Sequence, residues 1–336
     1  SLMSEENKTP LLEVKNLKKW FPAKSSPFSK EKVFIKAVDG VSFTLNAGET
    51  LGVVGESGCG KSTMGRSVLR LLEPTDGQVL FEGKDYTALK SSELAKSRSD
   101  LQIIFQDPYS ALDPHHNVEE IIREPMSLYT NASKSDIDEQ IVELLKKVGM
   151  KADDMYKYAY EFSGGQRQRI GIARALAVEP SLIIADEPVS ALDVSIQAQV
   201  LNLLNELKHD LDLTYIFVAH DLSVVEYISD RVGVMYLGNF VEVGEKEKIY
   251  SNPMHPYTQA LLSAVPVPDP TAKRERILLE GSIPSAHKPP TGCKFHTRCP
   301  KCMECCKTQA PERYEVDDGH YVYCHLYDKE RREQQK

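Results

Sequence analysis

Apolar runs and amphipathic stretches follow one another along the chain in an order that is typical of an α/β protein. Continuous or alternating apolar runs predict five strands, at residues 11–17, 38–45, 51–54, 182–185 and 215–219. Apolar residues at three- and four-residue spacing predict helices at 61–72 and 196–211. The last two strand segments are apolar throughout, as strands buried in a parallel sheet are.

Two departures from this alternation predict how the chain is organised. Residues from about 107 to 178 are helical in pattern, since VEEIIREPM and DEQIVELLKKVG both space apolar residues by three and four. After about Ser251, prolines crowd the chain and cysteines follow them. We therefore expect a cassette at 11–250, with a helical subdomain at about 107–178, and a C-terminal extension at 251–336.

Composition and charge exclude several classes of protein. The chain has 336 residues, of which 41% are hydrophobic and 27% charged, and a net charge of -8. This acidity argues against a general nucleic-acid binder, which usually has a basic face. No apolar run approaches the roughly 20 residues that cross a bilayer, and the polar N-terminus has no secretory segment. We expect a cytoplasmic protein that serves a membrane only through a partner.

A glycine-rich segment carries the first chemistry. GESGCGKST, from Gly55 to Thr63, matches the phosphate-loop pattern G-x-x-x-x-G-K-[ST] between a predicted strand and a predicted helix. Its glycines let backbone N–H groups face the phosphates of a nucleotide, and the helix start favours an anion. Lys61 is expected to bridge the β- and γ-phosphates, and the Ser62 hydroxyl to bind Mg²⁺. The nucleotide-binding residues predicted here are Gly55, Glu56, Ser57, Gly58, Cys59, Gly60, Lys61, Ser62 and Thr63.

A second acidic element follows the strand at 182–185. In SLIIADE, Asp186 ends the apolar run, as a second Mg²⁺-binding element should, and Glu187 comes directly after it. A carboxylate at that position can orient and deprotonate the attacking water. The sequence therefore predicts an ATPase.

Further motifs resemble those of one family, the ABC ATPases. FSGGQRQR, at 162–169, is similar to the ABC signature and lies ahead of the second acidic strand, as in that family. The resemblance covers nearly the whole chain. It implies a RecA-like P-loop ATPase core with an antiparallel β subdomain and a helical insertion. It also implies that two cassettes pair head-to-tail, so that the signature contacts the γ-phosphate bound by the partner. The contacting residues would be Ser163, Gly164, Gly165 and Gln166.

Four other positions take their roles from the same resemblance. Gln106, in IIFQDP, resembles the Q-loop residue that senses Mg²⁺ and the attacking water. Asp193, in SALD, resembles the D-loop at the dimer interface. His220, in FVAHD, resembles the switch histidine on the γ-phosphate. Phe21 aligns with the aromatic residue that stacks on adenine, with Trp20 as the neighbouring candidate.

The tail resembles one branch of the family, the ATPase subunits of oligopeptide and dipeptide importers. NPMHPYTQALLSAVP and GSIPSAHKPPTGCKFHTRCP are similar to segments typical of that branch, in particular of its second ATPase subunit. The resemblance implies a second, non-identical ATPase partner, two membrane permease subunits and, indirectly, a peptide-binding protein. Homodimers could form in isolation. Import of nickel complexes is an alternative within the branch. A soluble ATPase of nucleic-acid maintenance and a scaffold with a vestigial ATP site are the distant alternatives.

Six of the seven cysteines lie between Cys293 and Cys324. Since cytosolic chains rarely keep disulfides, such clustering suggests a metal site. The importer branch resembles this chain in a pattern that in some members binds a [4Fe–4S] cluster, and the pattern implies the ligands Cys293, Cys299, Cys306 and Cys324. Zinc is the rival metal, and reduced structural thiols without metal are the third possibility. Cys302 and Cys305 are additional to the pattern, which leaves the ligand set open.

Overall fold

The computed structural model describes residues 9–23, 33–265 and 276–328. Predictions for the first eight residues, the polar loop at 24–32, residues 266–275 of the proline-rich segment and residues 329–336 lie outside this range. The strands are β1 (Leu12–Pro22), β2 (Phe34–Leu45), β3 (Thr50–Val54), β4 (Asp76–Phe81), β5 (Lys84–Asp85), β6 (Leu101–Ile104), β7 (Leu182–Asp186), β8 (Thr214–Val218), β9 (Arg231–Tyr236), β10 (Asn239–Glu245), β11 (Tyr314–Asp317) and β12 (His320–Val322).

Helices alternate with these strands over most of the chain. They are α1 (Lys61–Val68), α2 (Ser91–Ser97), α3 (Val118–Tyr129), α4 (Lys134–Lys147), α5 (Gly164–Leu176), α6 (Val194–Leu211), α7 (Leu222–Ile228), α8 (Lys246–Ser251), α9 (Pro256–Ser263) and α10 (Glu304–Thr308). Short 3₁₀ turns lie at Ala152–Tyr156, Ala159–Glu161 and His325–Tyr327. Among the described residues, no helix is both long and apolar enough to cross a membrane.

The chain forms two compact units, and the first contains residues 82–219 with short segments at 9–11 and 45–50. Its sheet is parallel, with β7 between β6 and β8. Every residue of β7 and β8 is buried, which confirms the two apolar strands expected at 182–185 and 215–219. Between β6 and β7 the chain forms α3, α4 and α5, so the predicted helical insertion is present.

The second unit contains the other described residues. Here β1 pairs with β4 in antiparallel register, and β2 lies on the other side of β1. Its other strands pair in the order β11-β12-β10-β9-β3. Its only parallel pair among these five strands is β3 with β9. The cysteine-bearing tail supplies β11 and β12, and Val322 of β12 lies opposite Glu242 of β10.

Helix α1 is shorter than its apolar pattern predicts. The pattern continues to Leu72, but α1 ends at Val68 and Arg70 takes a φ of 52°. The N–H of Leu71 donates to the Arg66 carbonyl and the N–H of Arg70 to the Ser67 carbonyl. These two bonds close a Schellman motif, in which a left-handed residue ends the helix. The prediction of a helix to residue 72 was therefore wrong at its C-terminal end.

Candidate ATP site

The phosphate loop lies between β3, whose five residues are all buried, and α1. Gly60 has a φ of 102°, and a Cβ at this position would overlap the carbonyl oxygen of Ala37. A Cβ at Gly55 would overlap the Met235 carbonyl oxygen. Only glycine combines that backbone conformation with that space. The spacing of glycines in the motif is thus a requirement of the fold around the loop.

Lys61 lies inside the loop and is 4% exposed. Its Nζ donates to the carbonyl of Gly55 at 2.8 Å and to that of Glu56 at 3.2 Å. The Cys59 thiol lies 3.8 Å from the same nitrogen, and burial raises the pKa of that thiol. Cys59 therefore stays protonated, and the lysine is the positive charge of the loop. Ser62 and Thr63 follow at the start of α1, both half-buried.

The first unit contains the acidic residues. Asp186 ends β7 and is 1% exposed. Glu187 follows with a φ of 48°, and its N–H donates to the Val218 carbonyl of β8 at 2.9 Å. Gln106 follows the end of β6, and its Nε2 lies 3.5 Å from Oε2 of Glu187. The structure therefore brings together Gln106 and Glu187, two of the predicted catalytic residues.

The predicted signature forms the start of α5. Ser163 is the N-cap residue: its hydroxyl accepts from the Gln166 N–H, and the Gln166 side chain accepts from the Ser163 N–H at 3.1 Å. Gly165 packs so closely on Ile196 that a Cβ would overlap the isoleucine side chain, while Ser163 and Gln166 are exposed. The exposed helix start presents N–H groups and a hydroxyl, which is suitable for an anion.

The remaining predicted residues lie at element ends. Asp193 precedes α6 and His220 follows β8, and both are exposed. Phe21 lies on β1, half-buried, with the Lys19 ammonium 5.0 Å from its ring centre. The Trp20 indole N–H donates to Asp39 at 3.0 Å, so this alternative side chain is already engaged by its own sheet.

Two side chains for which the sequence predicted no role at the ATP site also reach the phosphate loop. The hydroxyl of Tyr257 accepts the Glu56 N–H at 3.0 Å, and Arg298 forms an ion pair with the Glu56 carboxylate at 2.8 Å. Tyr257 and Arg298 both lie in the C-terminal extension, 201 and 242 residues after Glu56 in the chain. A strand–loop–helix motif contains no signal for contacts at such separations, so sequence reasoning missed them.

The cysteines of the extension do not form a metal site as they are arranged. In the part of the chain that the structure describes, no group of three or more His, Cys, Asp or Glu side chains could hold a metal ion. Burial, together with neighbouring thiols, raises the pKa of Cys293 to about 11 and that of Cys324 to about 12. The predicted metal-binding extension is unsupported by this geometry, since no such group of side chains is present among the described residues.

Comparison with known proteins places these features in context. The family described as "ABC transporter" matches residues 38–190, and "Oligopeptide/dipeptide transporter, C-terminal region" matches residues 241–306. The oligopeptide transport ATP-binding protein AppF of Bacillus subtilis is 54% identical over 97% of this chain and 100% of its own length. The putative oligopeptide transport ATP-binding protein YkfD of the same organism is 52% identical over 95% of this chain and 96% of its own length.

Solved structures agree in fold. The dimeric, post-hydrolysis structure of the ATP-binding cassette MJ0796 bound to ADP and Pi matches with a TM-score of 0.61 at 28% identity, over 70% of this chain and 98% of that one. The structure of cbiO1 from Clostridium perfringens, part of the transporter complex cbiONQ, matches with a TM-score of 0.62 at 26% identity, over 73% of this chain and 92% of that one.

Proposed function

The chain belongs to the ATP-binding proteins of oligopeptide and dipeptide ABC transporters, and we propose that it hydrolyses ATP to power import of such peptides. The observation that carries the proposal is the pair of anion-binding elements on one chain. The Lys61 loop is one, and the exposed, Ser163-capped start of α5 is the other. Family members related over 95% or more of this chain are named for peptide transport.

We assign each site residue one task. Lys61 stabilises the charge that develops on the transferred phosphoryl group. Glu187 orients and deprotonates the attacking water, with Gln106 and His220 holding that water and the γ-phosphate. Phe21 stacks on the adenine ring. The exposed Ser163 and Gln166 would bind the γ-phosphate held by a neighbouring cassette, and Asp193 would lie at the interface with it.

The magnesium ion that accompanies ATP would be held by few protein atoms. Mg²⁺ keeps several waters and is commonly bound by one or two carboxylates plus substrate phosphates. The buried Asp186 carboxylate at the end of β7 and the Ser62 hydroxyl fit that donor set, and the family resemblance adds Gln106 as a third residue. When bound, Mg²⁺ would neutralise phosphate charge.

We propose that the chain works in a transporter at the cytoplasmic face of the membrane. Its partners would be a second ATPase subunit, two permease subunits and, indirectly, a peptide-binding protein. ATP would close the two cassettes on each other, the Q-loop region around Gln106 would move the permeases, and hydrolysis would release the pair.

Substitution of Glu187 tests the ATPase proposal. Glu187→Gln keeps the shape and removes the base, so we expect MgATP binding to persist and phosphate release to fall by about a hundredfold or more. Glu179→Gln is the matched control, because Glu179 is an exposed residue with a similar φ of 52° in the same unit. Full phosphate release by Glu187→Gln would refute the role of Glu187, and no ATP binding by the unsubstituted chain would refute the function.

We further propose that Cys293, Cys299, Cys306 and Cys324 can hold a [4Fe–4S] cluster, with zinc as the rival. Support comes from the packing of this segment: the Cys293 N–H donates to the Cys306 carbonyl at 2.8 Å, and Cys306 and Cys324 are both buried. An anaerobic preparation should be brown and contain iron, and Cys324→Ser should remove both properties, whereas Cys59→Ser should leave them. A colourless, iron-free anaerobic preparation would exclude the cluster, and stoichiometric zinc would identify the rival.

A further inference from the structure

The C-terminal extension holds the second residue of the phosphate loop at two points. The guanidinium of Arg298 donates to both carboxylate oxygens of Glu56, at 2.8 and 3.2 Å. The hydroxyl of Tyr257 accepts the Glu56 backbone N–H at 3.0 Å. Inside the loop, the Glu56 carbonyl accepts from Lys61 at 3.2 Å. The side chain, the backbone N–H and the backbone carbonyl of Glu56 thus each form a hydrogen bond. The partners of the side chain and of the N–H lie outside the loop.

These two contacts come from a buried base of packed aromatic rings. The side chain of Arg298 is 7% exposed, and the ring of Tyr236 lies 6.0 Å from its guanidinium. Tyr236, Tyr257 and Phe295 pack edge-on or tilted, with ring centres 4.8 to 5.4 Å apart, and all three are buried. Aromatic side chains locked in this way lose little further entropy when they hold a partner. Arg298 and Tyr257 are therefore preorganised for Glu56.

The extension also reaches the loop indirectly, at Cys59. The ammonium of Lys294 donates to Asp39 at 2.9 Å and to the Leu237 carbonyl at 3.0 Å, in the turn between β9 and β10. In the same turn, the N–H of Gly238 donates to the Cys59 carbonyl at 2.8 Å. The loop is therefore supported on both sides of Gly58 by groups that the extension fixes.

The charge of Glu56 makes the ion pair consequential. A carboxylate in a loop that binds a polyanion repels the phosphates unless a cation neutralises it. Arg298 supplies that cation in a partly buried, bidentate geometry, the stronger kind of ion pair. Removing Arg298 would leave the repulsion in place and free the Glu56 side chain to turn into the loop.

We propose that Arg298 and Tyr257 are positioning residues for ATP, which set the nucleotide affinity of the phosphate loop by neutralising and orienting Glu56. The proposal rests on the ATP site proposed above. It gives the C-terminal extension a part in nucleotide binding, through Glu56, beyond any role of its cysteines. Neither residue needs to touch the nucleotide.

Binding of MgATP to the full chain tests the proposal, in the Glu187→Gln background so that hydrolysis does not deplete the ligand. Arg298→Gln should raise the Kd about tenfold, as loss of a charged hydrogen-bonded pair does, and Tyr257→Phe about threefold, as loss of one neutral hydrogen bond does. Arg313→Gln is the control. Arg313 is an exposed arginine of the same extension, and its guanidinium stacks 4.7 Å from the ring centre of Tyr321. The Kd of Arg313→Gln for MgATP should stay at the parental value.

A double variant separates positioning from a merely structural role. Adding Glu56→Gln to Arg298→Gln removes the repelling charge, so affinity should return to within about threefold of the parent. A structural role predicts the opposite, a double variant that binds no better than the single one, and that result would overturn the proposal. An unchanged Kd in Arg298→Gln would do the same.

Two safeguards keep the test decisive. If the melting curve shows that Arg298→Gln does not fold, Arg298→Lys replaces it, because lysine retains the charge without the forked guanidinium. The Kd of Arg298→Lys should lie between the parental value and a tenfold higher one. An Arg298→Lys variant with parental affinity, together with a parental Tyr257→Phe, would refute the inference. If the parent itself binds no MgATP, the proposed function fails instead.

Discussion

At the scale of single residues, the buried side chain of His255 makes the stability of the chain depend on pH. It is 1% exposed, and its Nδ1 accepts the Tyr257 N–H at 3.0 Å, so it caps α9 as the neutral imidazole. The backbone N–H of His255 donates to the buried Glu242 carboxylate at 2.8 Å, and that carboxylate also contacts His320 at 2.7 Å. Burial lowers the pKa of His255 from 6.5 to about 4, and the charge of Glu242 offsets this only in part.

The sign of the resulting pH dependence follows from that shift. Between pH 6.5 and 4 the unfolded chain binds a proton at His255 that the folded chain does not. Stability from this residue is therefore complete above pH 6.5 and is lost as the pH falls toward 4, by about 3 kcal/mol at most. His255→Asn, which can still cap α9, should flatten this part of the urea-denaturation profile. The same substitution at the exposed His287 should not.

Residues also differ in how far the sequence could predict them. Lys61 and Glu187 could be predicted as site residues because the roles proposed for them depend on neighbours within a few positions, a glycine loop and a buried strand, and these roles stay predictions. Phe21 was preferred to Trp20 by resemblance, and its role at the adenine ring stays a prediction. The contact of Arg298 with the loop could not be predicted, because its partner Glu56 lies 242 residues away in the chain.

At the scale of elements, α5 owes its start to the Ser163–Gln166 capping box. Helix α4 begins with the same arrangement, in which the Asp136 N–H donates to the Ser133 hydroxyl at 3.2 Å. The two caps have equal structural tasks, but only α5 presents its start to a phosphate in the proposed function. The pair therefore separates the stability effect of a cap from its catalytic effect.

We expect Ser163→Ala and Ser133→Ala to lower the free energy of unfolding by a similar amount, about 1 kcal/mol each. Only Ser163→Ala should also reduce steady-state phosphate release, by about a hundredfold, as loss of one oriented donor does. Urea denaturation and phosphate release measured on the same preparations decide this. Equal activity losses in both variants would mean that the cap of α5 acts through stability alone.

The strands and helices themselves were predictable where apolar residues dominate. Strands β3, β7 and β8 are buried at every position, and their apolar runs in the sequence predict this burial. The end of α1 was not predictable, because Arg70 takes the left-handed conformation that usually signals itself by glycine. Strand β12, with only three residues, was also missed, since its place depends on pairing with distant β10.

At the scale of the whole molecule, the proposed function makes the chain half of an enzyme. Its phosphate loop and its signature helix would serve two different nucleotides, each completed by another cassette. Isolated chains should therefore bind ATP while hydrolysing it slowly, and specific activity should rise with protein concentration. A second copy can take the place of the natural partner in such an assay.

Mixing two inactive variants tests this arrangement most directly. Lys61→Ala disables the phosphate loop and Ser163→Arg disables the signature, so each alone should be inactive. A mixed pair contains one site that joins the intact loop of one chain to the intact signature of the other. Half of randomly formed pairs are mixed, so an equimolar mixture should recover up to about a quarter of the parental phosphate release.

Lys61→Ala mixed with Ser62→Ala should recover none, since both lesions lie in the loop. Absence of recovery in the first mixture, at concentrations where the parent is active, would show that each chain hydrolyses ATP without the other's signature.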